Sequence, residues 1–388
     1  MHAGLAVGER SRSIDPELSV WLDLSRVVAA FFVYLGHAVI LEVAPAALSL
    51  TWWRSADDAV IAFFVLSGFV IASTTRERPG DAAGYAAGYA LARLSRVYSV
   101  AVPALLLVLL LDLAGRSLSP ETYAGYAWQY EAIWRRLLMH WLFLGEGWLG
   151  VAQPFTAEPY WSLAYEVWYY LLFGVWTFVR GPARWAAAAL VLLLMGPWVL
   201  MLLPMWWLGV ALSRWLAATR LSPRAALALA LACAGAYAAF VLSGARDALD
   251  AASRALYAAI GGALGRPFSG GSTVHVLPDA VVALLFAALV VAFAHLRWRW
   301  PARAARAVRW LAERSFSFYL IHFSLLVLAR ALGVHQAGWW GNAGVLAAVL
   351  LVTGLLAAVG ESRRHLYRRA FAGLLAPWLA RRPPRPAA

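Results

Sequence analysis

The chain has 388 residues, of which 63% are hydrophobic and only 14% are charged. Soluble domains are about 25% charged and about 45–50% apolar, so this composition excludes an ordinary soluble globular protein. The formal net charge is +13, and arginine supplies every strong cation because the sequence contains no lysine. The arginines lie in short loops between apolar blocks, which argues against a nucleic-acid partner and indicates a membrane protein that follows the positive-inside rule.

The apolar residues form ten blocks, each near the length of about 20 residues that crosses a hydrocarbon core of about 30 Å. The blocks are continuous rather than alternating, and helices satisfy their own backbone polar groups in lipid. We therefore predict an all-α integral membrane protein, a bundle of about ten transmembrane helices. The predicted spans are 19–41, 57–75, 95–114, 160–179, 184–199, 200–216, 224–243, 278–296, 309–332 and 342–360.

Loop charges predict the orientation of these spans. Arg76 and Arg78 follow the second span and place that loop, and hence the N-terminus, in the cytoplasm. Residues 131–149 are aromatic but short and charged. If they do not span, every later arginine-rich loop and the tail fall on the cytoplasmic side. We therefore predict that both termini are cytoplasmic and that 131–149 is an interfacial or re-entrant element on the outer face.

This topology divides the chain into three parts. Residues 1–18 form a cytoplasmic segment, 19–360 a transmembrane domain in the lipid bilayer, and 361–388 a basic cytoplasmic tail. Two longer segments, 115–159 and 244–277, lie on the outer face, and the glycines of the second predict a loop with mobile turns. The expected location is the inner (plasma) membrane, in a multi-pass arrangement.

Charged side chains within predicted spans are candidates for function, because an ionised group in lipid is expensive. Arg26 and His37 are eleven residues apart in the first span. This spacing is three turns plus about 20°, so the two side chains share a face roughly 16 Å apart along the helix. Glu166 lies near the outer end of the fourth span. A carboxylate there could act as a base, orient a histidine or bind an acceptor.

Two further groups of polar residues accompany the spans. Arg93 and Arg96 lie at the cytoplasmic entry to the third span, where they either follow the general charge bias or clamp phosphate. Ser315, Tyr319 and His322 follow one another in the ninth span, as interhelical hydrogen-bonding groups or as site residues. The sequence has no cysteine pair and no acidic cluster at metal-ligand spacing, so we predict no metal site.

Five segments taken together resemble the acyltransferase 3 family of membrane acyltransferases. They occur in the family's order and cover most of the chain. They are Leu22 to Arg26 with Leu35-Gly36-His37, Phe63 to Phe69, Arg93 to Arg96, Trp161-Ser162-Leu163 with Glu166, and Ser315 to His322.

The resemblance implies transfer of an acyl group, usually acetyl, from acyl-CoA to a hydroxyl of an envelope saccharide or glycoconjugate, or of a small molecule. Arg93 and Arg96 would hold the phosphates of the donor, and Arg26 its pantetheine or thioester end. His37 would act as general base or as an acyl-carrying nucleophile. Glu166 would orient His37 or bind the acceptor. The residues expected to contact the substrates are Trp161, Ser162, Ser315, Tyr319 and His322.

Two other classes remain open from the residues alone. Intramembrane Arg, His and Glu also serve transporters, so a transporter or flippase of a small molecule or lipid-linked sugar is the main alternative. A haem protein that uses His37 and His322 is a more distant one. The acyltransferase interpretation requires no permanently bound cofactor, since acyl-CoA is a substrate.

Overall fold

The computed structural model describes residues 14–44, 52–75, 82–148, 153–264, 273–334 and 338–379. Within these ranges it consists of α-helices joined by turns and short 3-10 helices, with no strand. The helices are α1 (Pro16–Ile40), α2 (Trp52–Thr74), α3 (Ala82–Leu118), α4 (Ile133–Trp141), α5 (Tyr160–Phe178), α6 (Pro182–Ala218), α7 (Pro223–Leu242), α8 (Ala245–Leu264), α9 (Val276–His295), α10 (Ala302–Ala312), α11 (Ser315–Ala331), α12 (Gly338–Val359) and α13 (Arg364–Leu379).

Seven helices of the described residues are long and apolar enough to cross a membrane. The pair α10 and α11, bent by 52° at its break, makes an eighth if it counts as one span. These helices indicate a multi-pass membrane protein, while the number of ten spans and the side on which the termini lie stay predictions. The seven are Pro16–Ile40, Ala56–Thr74, Ala83–Leu118, Pro182–Ala218, Pro223–Leu242, Val276–His295 and Gly338–Pro377.

The predicted fifth and sixth spans lie in one long helix with a break. Gly196 interrupts α6 with φ 79° and ψ 167°, a conformation that needs glycine, and Pro197 follows it. The 37 residues of α6 would extend about 55 Å as a straight helix, far more than a hydrocarbon core of about 30 Å. The prediction from sequence placed the boundary between these two spans after residue 199, because the apolar composition continues unchanged through the break.

The loop predicted for 244–277 is wrong over its first part, where α8 forms a 20-residue helix. Its alanine-rich stretch has high helix propensity, and the glycine pair that suggested a loop lies near its C-terminal end. Arg246 of α8 is 1% exposed and pairs with Asp58 of α2, with Nη1 2.5 Å from Oδ1. Tyr237 also donates to Asp58, at 2.7 Å. The second glycine pair, Gly270 and Gly271, lies outside the described residues.

Residues 131–149 contain only one short helix among the described positions. The nine residues of α4 extend about 14 Å, too short to cross a bilayer. Whether this element is interfacial or re-entrant stays a prediction. The predicted basic tail likewise contains a helix, α13, which packs along α3 with the rings of Tyr98 and Phe371 5.4 Å apart.

Glycines bring α2 and α6 into backbone contact. A Cβ atom on Gly68 would lie 2.0 Å from the carbonyl oxygen of Trp206, and one on Gly209 would lie 2.0 Å from that of Val65. The two helices therefore approach through positions that admit no side chain. Gly68, in the segment from Phe63 to Phe69, thus serves the close packing of α2 against α6.

We expect Gly68→Ala to destabilise the fold, because the added methyl group must push α2 and α6 apart. Overpacking of this kind costs about 1–3 kcal/mol. Gly235→Ala in α7 is the matched control, since a Cβ there meets no atom within 4 Å. Thermal unfolding in detergent should show a lower midpoint for Gly68→Ala and an unchanged or higher one for Gly235→Ala. Equal midpoints for the two variants would contradict this packing.

Candidate active site

Helix α1 begins at a conventional cap and carries the first charged pair of the site. Asp15 accepts hydrogen bonds from the backbone N–H groups of Glu17 and Leu18, at 2.9 and 3.2 Å, and fixes the start of the helix. Three turns later, Arg26 Nη1 lies 3.2 Å from Asp23 Oδ1. Asp23 stands in the motif that drew attention to Arg26, but sequence reasoning gave it no role.

Arg26 faces a cavity of about 100 Å³ enclosed by α1, α2, α3, α5 and α11. Seven of the predicted site residues line this cavity together, although they are far apart in the sequence. Two polar residues that were not predicted, Ser67 and Tyr170, also line it. The predicted residues are Arg26, Arg93, Arg96, Ser162, Glu166, Ser315 and Tyr319.

Arg93 is held by aromatic rings rather than by a carboxylate. Its guanidinium carbon lies 5.9 Å from the ring centroids of both Tyr89 and Tyr170. Its Nε is buried and has no hydrogen-bond partner among the described residues. A guanidinium whose Nε is buried and unused suits an anionic ligand, because an unpaired buried donor costs free energy.

A second cavity of about 390 Å³ adjoins the first and shares Arg26, Arg96 and Phe316 with it. Its charged lining contains five arginines and three carboxylates, so the two cavities together have an excess of positive charge. Sequence reasoning proposed a role in the site for only two of these arginines, Arg26 and Arg96. The charged lining residues are Asp23, Arg26, Arg96, Arg309, Glu313, Arg314, Glu361 and Arg364.

His37 pairs with His322 across α1 and α11. His37 Nδ1 lies 2.8 Å from His322 Nε2, and the two rings lie edge to edge in nearly one plane, with centroids 5.1 Å apart and planes at 15°. The spacing of residues within one helix could not reveal this pair, because it joins two helices 285 positions apart. Two nitrogens that ligate one metal ion from opposite sides lie about 4 Å apart. The direct hydrogen bond therefore does not suit the haem alternative.

The histidine pair lies beside the cavity, one aromatic ring away. Tyr319 lines the cavity, shares a hydrogen bond of 2.8 Å with Ser162, and has its ring centroid 6.2 Å from that of His322. Glu166 lines the cavity with Arg26, whereas the hydrogen bond of His37 goes to His322. The structure thus brings Glu166 to the arginines rather than to His37.

Trp161, like His37 and His322, is a predicted site residue that the cavity lining does not include. Its ring packs against Phe64 and Tyr165, at centroid distances of 6.2 and 5.1 Å.

Ser67 shows the opposite outcome. It was given no role in the sequence analysis, yet it lines the cavity and its Oγ is 3.3 Å from the Tyr170 hydroxyl. The sequence signal for its position was a hydroxyl group next to Gly68, and sequence reasoning did not use it.

Comparison with known families settles the class of protein. A family model described as an acyltransferase domain matches residues 19–359, most of the chain. The chain belongs to the acyltransferase 3 family. It is therefore a membrane acyltransferase in general terms. No curated protein and no solved structure matches the chain.

Two carboxyl groups outside the spans lie near the N-terminal end of α5. Burial raises the pKa of Glu146 to about 8, with a smaller contribution from the charge of Glu158. Burial likewise raises the pKa of Glu158 to about 7, with Asp57 as the second cause. Glu146 is 2% exposed, and its Oε2 has no hydrogen-bond partner in the described part of the chain. Both groups are thus held in surroundings that favour the neutral acid.

These shifts predict a fold that loses stability as the pH rises. The folded state binds more protons than the unfolded one between about pH 4.3, the unfolded pKa of glutamate, and the folded pKa of about 8 for Glu146, so stability falls across this window. Glu146→Gln should raise the unfolding midpoint at pH 8.5 and leave it nearly unchanged at pH 4. The exposed Glu131, as Glu131→Gln, is the control and should have no effect at either pH. A Glu146→Gln gain that is the same at both pH values would argue against a buried neutral acid.

Proposed function

We propose that this acyltransferase moves an acyl group, in the first instance acetyl, from acyl-CoA to a hydroxyl of a saccharide or glycoconjugate at the outer face of the plasma membrane. The observation that carries the proposal is the joining of the two cavities. One contains Arg93 with its unused donor, and both contain Arg26 and Arg96. A small molecule of secondary metabolism is the alternative acceptor.

The charge of the cavities supports a polyanionic donor. Coenzyme A has three phosphate groups, and guanidinium groups bind phosphate through two parallel hydrogen bonds. The larger cavity supplies Arg309, Arg314 and Arg364 in addition to Arg96. We propose that these groups hold the nucleotide end of the donor, with Arg93 and Arg96 at the phosphates and Arg26 towards the thioester.

His37 is the proposed base. The acceptor hydroxyl gives its proton to His37 as its oxygen attacks the thioester carbonyl, and the C–S bond then breaks. The thiolate of CoA leaves and takes up the proton from the imidazolium, so that atoms and charge balance. In the alternative route His37 attacks first and carries the acyl group to the acceptor. In both routes the pantetheine arm extends along α1 from Arg26 towards His37, over roughly 16 Å.

Donor binding should depend on the cavity arginines and not on charge in general. We expect Arg93→Ala/Arg96→Ala to weaken the binding of acetyl-CoA by at least about 100-fold, because each hydrogen bond to a charged group contributes about 1.5–3 kcal/mol. Arg220→Ala/Arg224→Ala is the matched control, since these two side chains line neither cavity and the change in net charge is the same. Calorimetry with purified protein in nanodiscs measures both.

Equal affinity in the two double variants would contradict the donor site. Folded wild-type protein that binds no acyl-CoA of any chain length would count against the donor itself. In that case, uptake or flipping of a sugar without consumption of acyl-CoA would support the transporter alternative.

Loss of His37 should abolish transfer without affecting donor binding. We expect His37→Ala to lower the rate of CoA release in the presence of an envelope saccharide fraction by about 10²–10⁴-fold, the usual contribution of general acid–base catalysis. The affinity for acetyl-CoA should stay within a few-fold of wild type. A folded His37→Ala protein with full transfer activity would rule out both the base and the nucleophile route.

A further inference from the structure

His322 shares a chain of polar atoms with a backbone carbonyl and His37. His322 Nδ1 lies 3.1 Å from the carbonyl oxygen of Phe318, and His322 Nε2 lies 2.8 Å from His37 Nδ1. We propose that His322 is the positioning residue that fixes the tautomer of His37 and leaves its Nε2 as the basic nitrogen. The inference rests on the proposed function in assigning His37 to the chemistry.

The positions of the hydrogens in this series of polar atoms follow from the carbonyl group at one end. A carbonyl oxygen can only accept a hydrogen bond, so His322 Nδ1 must carry a hydrogen and donate it to Phe318. In neutral His322 the other nitrogen, Nε2, then has a lone pair and accepts. His37 Nδ1 must therefore donate, which places the hydrogen of neutral His37 on Nδ1. The lone pair of His37 is left on Nε2, where a substrate proton can be taken up.

Packing holds the His322 ring in the orientation that this argument requires. His322 is 0% exposed, and its ring stacks on Phe318 with centroids 5.6 Å apart. The ring of Tyr34 meets it edge-on at 6.0 Å. A 180° turn of the imidazole would place carbon atoms against the Phe318 carbonyl and His37, and both hydrogen bonds would be lost. The ring is thus fixed on its faces and at two nitrogens.

The surroundings of His37 differ from those of His322, and they suit a base. His37 is half-buried, and among the described residues its Nε2 has no hydrogen-bond partner. Phe323 contacts the ring edge-on, at 5.0 Å between centroids. When Nε2 takes a proton, the hydrogen bond from Nδ1 to His322 becomes charge-assisted and stronger. His322 therefore both selects the tautomer and stabilises the imidazolium.

Two variants separate the acceptor function of His322 from its volume. His322→Phe keeps a flat ring against Phe318 but removes the nitrogen that accepts from His37. His322→Gln has a carbonyl oxygen that can accept in place of Nε2. We expect His322→Phe to lower kcat for CoA release by at least about 100-fold, with an unchanged affinity for acetyl-CoA. His322→Gln should recover to within about tenfold of wild type, because it restores an acceptor.

A measurement independent of turnover reports the tautomer. In protein labelled with 15N at histidine, the nitrogen shifts distinguish an Nδ1–H from an Nε2–H ring, and His37→Gln identifies the signals of His37. Wild type should show His37 with hydrogen on Nδ1, and His322→Phe should show a large fraction with hydrogen on Nε2. His37 found as the Nε2–H tautomer in wild type, or a His322→Phe enzyme with wild-type kcat, would overturn the inference. If wild type consumes no acyl-CoA, the proposed function fails, and the nitrogen shifts still decide whether His322 sets the tautomer.

Discussion

A charged side chain inside a bundle of apolar helices persists only beside a partner or a polar cavity, and this constraint organises the molecule. The described residues meet it in two ways. Arg246 is fully buried against Asp58, which pairs the two charges and ties α8 to α2. The arginines around Arg26 are paired only in part, because they outnumber the carboxylates that line the two cavities with them. The charge of the first arginine is balanced by its neighbour, whereas the charge of the second group is balanced only when an anion binds.

Helix geometry places the polar groups around this positive centre. Gly68 and Gly209 let α2 lie against α6, which holds Ser67 at the cavity wall. The break before α11 starts a new helix at Ser315, from which Tyr319 and His322 follow at spacings of four and seven. Residues at this spacing share one face of a helix. One face of α11 therefore runs from the arginine-lined cavity to His37.

The apolar blocks and the charged motifs were open to prediction from the sequence, because each depends on local composition and on the short list of structures that lipid permits. Features set by contacts between helices that are distant in the sequence could not be predicted in this way. The composition around Gly196 continues without change, so the break in α6 was placed several residues late. Helix α8 was taken for a loop, because the burial of Arg246 depends on Asp58, nearly 190 positions away. The partner of His37 was hidden for the same reason.

As the buried hydrogen-bond partner of a catalytic base in this environment, a histidine is better suited than a carboxylate. An ionised orienter beside His37 would itself need desolvation inside the bundle, at a free-energy cost that its attraction to an imidazolium offsets only in good geometry. His322 is neutral and already hydrogen-bonded to the Phe318 carbonyl, so it imposes a direction on His37 without adding a buried charge. Glu166 is then free to balance Arg26 in the cavity. In the function proposed above, this separation of charge balance from tautomer control lets the polyanionic donor bind beside His37 without placing its charges next to the reacting nitrogen.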